Sequence, residues 1–195
     1  MKTKYLLPLI IGVFVSLSVT ATTVIPPTFD QLVKQAEFIF QGTVTDSKSV
    51  WEGEGAQRHI ETYVTFNVED NVKGDAGPSY TMKILGGTVG DETMEVTDTP
   101  KFNVGDRDIL FVEHNNEQFV PLVGINYGRF RVQRHDQTGR DIVVNDEGHP
   151  VRDLTQLGRN EQAAVASDVS GAISPDQLKS AVKNQLNAQA ERPGQ

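Results

Sequence analysis

The sequence predicts a mainly β domain: a small antiparallel β-barrel of the OB-like kind, with a short helix before it and a second helix after it. Two observations predict the barrel, namely many short strands of period two and the glycine-containing turns that separate them. A third observation, a helix-capping pattern on either side of the strands, predicts the two helices. With 195 residues and no internal repeat, the chain is expected to form one domain with tails.

Residues 1–21 have the pattern of a secretory signal peptide. Lys2 and Lys4 precede an apolar run from Tyr5 to Val19, and small residues follow as far as Ala21. This run is shorter than the ~20 apolar residues that a membrane-spanning helix needs. We therefore expect cleavage after Ala21, an exported protein of the periplasm or the extracellular space, and no membrane attachment of the mature chain.

Residues 22–36 are predicted to be an N-terminal segment that contains the first helix. Pro26 and Pro27 oppose helix formation, and Thr28-Phe29-Asp30-Gln31 then reads as a capping box. The helix is expected to end near Ala36. Its apolar residues recur at spacings of three and four, so one face should pack on the domain.

Residues 37–155 are predicted to form the barrel and a C-terminal hairpin. The clearest strand runs from Ile60 to Glu69, where alternate residues share an apolar face and a polar face. Further strands are predicted at 38–45, 80–85, 93–96, 108–112, 119–125, 127–132 and 141–145. Glycines such as Gly42, Gly124 and Gly128 are expected to bend the strands.

Residues 156–173 hold little apolar bulk and are predicted to be a flexible linker. Ser174-Pro175-Asp176-Gln177 then supplies an N-cap, a proline at the first helical position and a capping glutamine, so a helix is expected over 174–191. Its apolar stripe, Leu178, Val182 and Leu186, is narrow. We therefore expect this helix to dock weakly and a chain without residues 173–195 to stay folded.

Several short segments between Pro26 and Val132 occur in a specific order. They are Pro26-Pro27-Thr28-Phe29, Gly42-Thr43-Val44, Thr62 to Val68 with Lys73-Gly74, Leu85 to Thr88, Phe102 to Asp106 with Leu110-Phe111-Val112, and Pro121 to Gly124 with Gly128 to Val132. In this combination they resemble a family of uncharacterised exported bacterial β-domain proteins. The resemblance implies an exported β domain and implies no activity.

The succession of a strand, the Lys73-Gly74 turn and a further strand is also similar to netrin-like domains, which are OB-type barrels and include inhibitors of metalloproteases. The similarity implies the fold by analogy only. Those inhibitors act through an N-terminal cysteine, and this chain has no cysteine, so no inhibitory residue is carried over.

The composition excludes several classes of function. Without cysteine the chain has no disulfide, no thiolate zinc site and no thiol for lipid attachment. It has 18 basic and 26 acidic residues, and removal of Lys2 and Lys4 with the signal peptide leaves 16 basic residues and a net charge of −10. Nucleic acid is therefore not an expected partner.

The sequence contains no catalytic or metal-binding motif that we recognise, so no catalytic residue, metal or cofactor is predicted. The histidines are scattered, at His59, His114, His135 and His149, and no serine nucleophile motif occurs. Carboxylate pairs such as Asp106 and Asp108 are interpreted as solvated turn residues. Residues 136–141 alternate oxygen side chains around a glycine, which suits either a calcium loop or a plain hairpin turn; we favour the turn because a closing glutamate is missing.

One surface hypothesis remains. Tyr127, Arg129 and Arg131 alternate along a predicted strand and so share one face, and aromatic and arginine side chains often dominate binding energies. We predict that these three residues bind an unknown protein partner. The alternative is that the arginines pair with nearby carboxylates.

The sequence thus predicts an exported non-enzymatic binding or interaction module, for which an exported protease or an envelope protein is one class of partner. The alternative is an enzyme, a hydrolase, whose site is assembled from residues distant in sequence. A deep pocket lined by Asp, His and Arg would favour the enzyme. A shallow exposed groove or a sheet edge would favour binding.

Overall fold

The computed structural model describes residues 26–158 and 169–191. The predicted signal peptide, residues 1–21, lies outside the described residues, and so do residues 159–168 of the predicted linker. Cleavage after Ala21 and the flexibility of that linker therefore stay predictions.

The secondary structure consists of two α-helices, eight strands and two short 3-10 turns within the described residues. In chain order these are α1 (Phe29–Gln35), β1 (Phe38–Glu52), a 3-10 turn (Gly55–Gln57), β2 (His59–Lys73), β3 (Ser79–Leu85), β4 (Gly87–Val89), β5 (Glu92–Met94), β6 (Arg107–Val112), β7 (Arg129–His135), β8 (Arg140–Val144), a second 3-10 turn (Leu154–Gln156) and α2 (Pro175–Ala190).

Six of the strands form one antiparallel sheet in the order β3-β2-β1-β6-β7-β8, while β4 and β5 form a separate hairpin. The mainly β, antiparallel class and the two helices are therefore confirmed. In the described part of the chain β3 and β8 are the two edges of the sheet and do not pair with each other, so closure into an OB-like barrel is not confirmed.

Strand β6 shows how the sheet makes two cores. Successive side chains of a strand point to opposite faces. Ile109 and Phe111 belong to one hydrophobic cluster with residues of α1 and α2, whereas Leu110 and Val112 belong to a second cluster that loop residues cover. We call these two sides the helix face and the loop face.

The predicted strand over 119–125 is wrong, because the chain turns there. Only Leu122 makes an isolated bridge, to Val112, and Gly124 and Ile125 have φ angles of 62° and 65°. The next strand, β7, begins only at Arg129. A Cβ atom at Gly128 would lie 2.8 Å from the carbonyl oxygen of Phe111, so glycine allows this turn to pack directly on β6.

Helix α1 is capped at both ends by side chains. The predicted capping box is present, with the Thr28 side chain accepting from the backbone N–H of Gln31 and the Gln31 side chain accepting from that of Thr28. At the other end Lys73 Nζ of β2 donates to the carbonyl oxygens of Val33, at 2.8 Å, and of Ala36. The lysine thus ties the last turn of α1 to the end of β2.

Helix α2 carries the predicted capping box of Ser174 and Gln177, but the expectation of weak docking is wrong. Leu178 and Val182 are fully buried in the cluster on the helix face, and Leu186 packs against that cluster. A narrow stripe docks firmly here because it inserts between α1 and the sheet rather than lying on the surface. No described helix is both long and apolar enough to cross a membrane.

Candidate functional site

Arg129 is not on the surface, which corrects the expectation that it shares an exposed face. Its side chain is 3 % exposed, and its Nε donates to Asp108 Oδ1 at 2.9 Å. A second guanidinium nitrogen lies 3.1 Å from Asp106 Oδ2, and a third donates to the Lys101 carbonyl at 2.7 Å. The guanidinium also stacks on Phe102, 3.9 Å from the ring centroid. Carboxylate pairing, the alternative weighed from the sequence, therefore describes Arg129.

Tyr127 and Arg131 lie near Arg129 but do not extend one exposed row with it. Tyr127 is in the turn before β7 and is 42 % exposed. Arg131 is partly buried on β7 and donates to the carbonyl oxygen of Asp146 at 3.3 Å. The three predicted binding residues are thus one exposed ring, one buried ion-pair member and one partly buried arginine.

The cluster around Arg129 brings together carboxylates that are distant in sequence. Burial raises the pKa of Asp108, against the opposing effect of its ion pair with Arg129. Burial also raises the pKa of Asp146, although Arg129 and Arg131 oppose this. Because Asp108 is fully buried and its oxygens are held by a guanidinium, it lacks the access to substrate that an acid–base residue needs.

The turn at 136–141 has no free closing carboxylate for calcium. Asp141 Oδ2 lies 2.8 Å from Arg107 Nη1, and Asp141 Oδ1 lies 3.4 Å from Arg134 Nη1. Two guanidinium groups on one carboxylate disfavour a divalent cation there. Among residues 26–158 and 169–191 no group of three or more His, Asp or Glu side chains is placed to hold a metal ion.

The same arginines line an open groove of about 400 Å³ on the helix face, which sequence reasoning missed. Its charged and amide residues are Gln41, Arg107, Arg134, Arg140, Asp141, Asp176, Gln177 and Lys179. We call it the cationic groove, because four basic residues line it against two acidic ones.

The alternation of the sheet explains why these side chains meet. Gln41 is two residues from Ile39 on β1, and Arg107 is two residues from Ile109 on β6. Both apolar residues belong to the helix-face cluster, so the polar ones point to the same side. Arg134 stands in the same relation to Val132. The N-terminal turn of α2 forms one wall of the groove.

The charges of the groove are held in position by ion pairs. A hydrogen bond from Arg107 lowers the pKa of Asp141, with a smaller contribution from Arg134. Burial opposes the charge on Lys179, but hydrogen bonds to Asp70 and Asp176 outweigh it and raise its pKa. Arg140 is exposed, and its side chain makes no ion pair with any residue that the structure describes.

Gln41 supplies a polar atom that lacks a partner. The side chain is 7 % exposed, and its Nε2 donates to Glu69 Oε2 at 2.8 Å. Its Oε1 is buried and accepts no hydrogen bond in the described structure. A buried acceptor without a donor is costly, so rotation of the Gln41 side chain towards a ligand donor at the β1 end of the groove would be favoured.

A second cavity of about 250 Å³ lies between the β4–β5 hairpin and the loop face. Its lining is largely apolar and hydroxyl-bearing, including Thr62, Ile84, Met94 and Phe102. It gathers no comparable set of charges.

Comparisons of the chain with protein-family models, with curated proteins and with solved structures found no match.

Proposed function

We propose that this protein is an exported, non-enzymatic binding or interaction module and that the cationic groove is its binding site. The observation that carries the proposal is the charge of the groove. Four basic side chains meet two acidic ones there, in a chain whose net charge is −8. Arg107 and Lys179 are paired with carboxylates, but exposed Arg134 makes one ion pair only, at 3.4 Å to Asp141, so its remaining N–H donors are available to an acidic ligand.

An open, polar groove supports binding more than catalysis. A hydrolase needs an activated nucleophile or a pair of accessible carboxylates. Asp141, the carboxylate on the groove floor, is occupied by Arg107 and Arg134, and a depressed pKa does not suit a general acid. The alternative of an enzyme assembled from distant residues therefore has less support.

Two finer interpretations stay predictions. Exposed Tyr127, with Arg131 beside it, is a second candidate docking surface, in which Arg129 acts by holding β7 in place. The second interpretation is that the sheet closes into an OB-like barrel.

The groove is tested with a small anionic probe. Succinate is titrated into the protein while backbone amide shifts are followed by NMR, with spermidine as the cationic counterpart. We expect saturable shifts at Arg140, Asp141 and Lys179 with succinate only. The Arg134→Glu variant should lose them, whereas Lys48→Glu, the same charge change at an exposed site on β1, should keep them. Scattered shifts, or equal shifts in both variants, would contradict the proposal.

Export is tested separately by the mass of the protein recovered from the exported fraction. A mass that corresponds to a chain beginning at Thr22 supports export with cleavage after Ala21. A mass that retains Met1 to Ala21 contradicts cleavage.

A further inference from the structure

We propose that the cationic groove binds an extended acidic peptide segment of a partner protein, about four to five residues long. This rests on the proposed function and names its ligand class.

The groove is too long for a single small anion. It crosses the sheet from Gln41 on β1, past Arg107 on β6, to Asp141 on β8, which is three strand-to-strand steps in the order β1-β6-β7-β8. Neighbouring strands lie ~4.8 Å apart, so the groove floor is roughly 14 Å long. An extended peptide advances ~3.3 Å per residue, and about four residues span this distance.

The β8 end favours carboxylates. Arg134 is exposed there, and Arg107 contributes nitrogens that are not used by its bond to Asp141. Guanidinium groups bind carboxylates through two parallel hydrogen bonds, which gives direction as well as charge attraction. Acidic side chains of a bound segment would therefore be drawn to this end.

The β1 end requires a hydrogen-bond donor. Gln41 Oε1 is buried and unpartnered, and one of the two N–H groups of its amide donates to Glu69. A simple carboxylate offers no proton to this oxygen. A peptide does, because every non-proline residue carries a backbone N–H.

The edge of β8 favours a peptide over an acidic saccharide. Val143 donates its backbone N–H outward to the Ile173 carbonyl at 2.9 Å. Backbone groups two residues apart in a strand point to the same side, so Asp141 directs its N–H and C=O outward as well. No described backbone group is bonded to Asp141 on that side. Where the end of a bound peptide leaves the groove and runs along β8, the N–H and C=O of one residue can complete this donor and acceptor together, as in strand addition.

The test compares three fluorescent probes by anisotropy at low and moderate salt: pentaglutamate and pentaglutamine, both acetylated at the N-terminus and amidated at the C-terminus, and a pentagalacturonate, which has the same five carboxylates as pentaglutamate. We expect pentaglutamate to bind at least about tenfold more tightly than either of the others, since pentaglutamine loses the charge-assisted contacts and pentagalacturonate loses the backbone hydrogen bonds. Its affinity should fall as salt is added.

Variants assign the binding to the groove. The pair Arg134→Ala with Arg140→Ala should weaken pentaglutamate binding at least about tenfold. Removing two exposed charges elsewhere, with Lys48→Ala and Lys101→Ala, should leave it unchanged. Gln41→Met should weaken pentaglutamate severalfold without changing the salt dependence. Should the double arginine variant unfold, Arg134→Ala alone serves, because that side chain is exposed and its ion pair with Asp141 is long, at 3.4 Å.

Each outcome decides something. Tighter binding of pentagalacturonate, or equal binding of the two peptides, overturns the acidic-peptide inference while the groove remains a binding site. No binding of any probe, together with no succinate response, overturns the proposed function as well. Pentaglutamate binding that survives loss of the groove arginines places the site elsewhere and rejects both.

Discussion

Arg129 and Asp108 form a buried ion pair between β7 and β6, with Arg129 Nε 2.9 Å from Asp108 Oδ1 and side-chain exposures of 3 % and 0 %. The same guanidinium stacks on Phe102 and bonds to the Lys101 carbonyl. One side chain therefore fastens the loop before β6 to the loop face of the sheet. Its role in the described structure is to hold the fold together.

Replacing Arg129 with methionine is expected to destabilise the protein by about 3 to 5 kcal/mol, because Asp108 is left as a buried charge without its partner. The double change Asp108→Asn, Arg129→Met should recover part of this loss. Urea unfolding measures both, with exposed Arg140→Met as the control. A loss below about 1 kcal/mol for Arg129→Met would show that Asp108 is not ionised and paired in solution.

Leu178→Ala is expected to cost about 2 to 5 kcal/mol, because it empties a fully buried position of α2. Leu186→Ala on the same helix is the matched control, and it should cost less because Leu186 is only partly buried. For the same reason a chain ending at Ala172 should aggregate or unfold. A folded, soluble truncation with an unchanged thermal midpoint would show that α2 does not cover core surface.

Lys73→Met is expected to destabilise the protein by about 1 to 3 kcal/mol, since the last carbonyls of α1 lose their donor. Methionine keeps most of the apolar stem, so the change isolates the ammonium group. Lys34→Met, an exposed position on α1 itself, is the control. Thermal unfolding followed by circular dichroism compares the two, and equal midpoints would refute the capping role.

The pair of Arg107 and Asp141 predicts a pH dependence of stability. Arg107 lowers the pKa of Asp141 below its ordinary 3.8, so folding favours the carboxylate. Its contribution is present above about pH 3.8 and is lost as the pH falls through the lowered pKa of the folded state. The thermal midpoint of the wild type should therefore be higher than that of Asp141→Asn at pH 6, and the difference between the two midpoints should narrow towards pH 2. Asp136→Asn, in the same hairpin, is the control for the loss of one carboxylate without loss of the ion pair with Arg107. A difference that is constant with pH would contradict the ion pair.

The elements that sequence reasoning predicted well depend on neighbours close in the chain. Both capping boxes join residues three positions apart, Thr28 with Gln31 and Ser174 with Gln177. The alternation in β2 correctly predicted that Val64 and Phe66 share a buried face. Such signals are local, because a helix turn or a strand pleat sets them without reference to the rest of the fold.

The errors arise where a residue's environment comes from distant segments. Arg129 and Asp108 are 21 residues apart and meet only because β6 pairs with β7. The sequence near 119–125 has the composition of a strand, but the chain turns at Gly124 and Ile125 to pack against β6. Composition does not distinguish the two outcomes, because both bury the same apolar side chains.

By itself the sequence determined that the chain makes a mainly β domain with a capped helix on each side, since periodicity and capping act over a few residues. Only the tertiary structure decided that α2 is part of the core and that Arg129 is buried. It also decided that Gln41, Arg107, Arg134 and Lys179 line one groove. These four residues belong to four different elements, and sheet order and helix docking bring them together through contacts that no local pattern encodes.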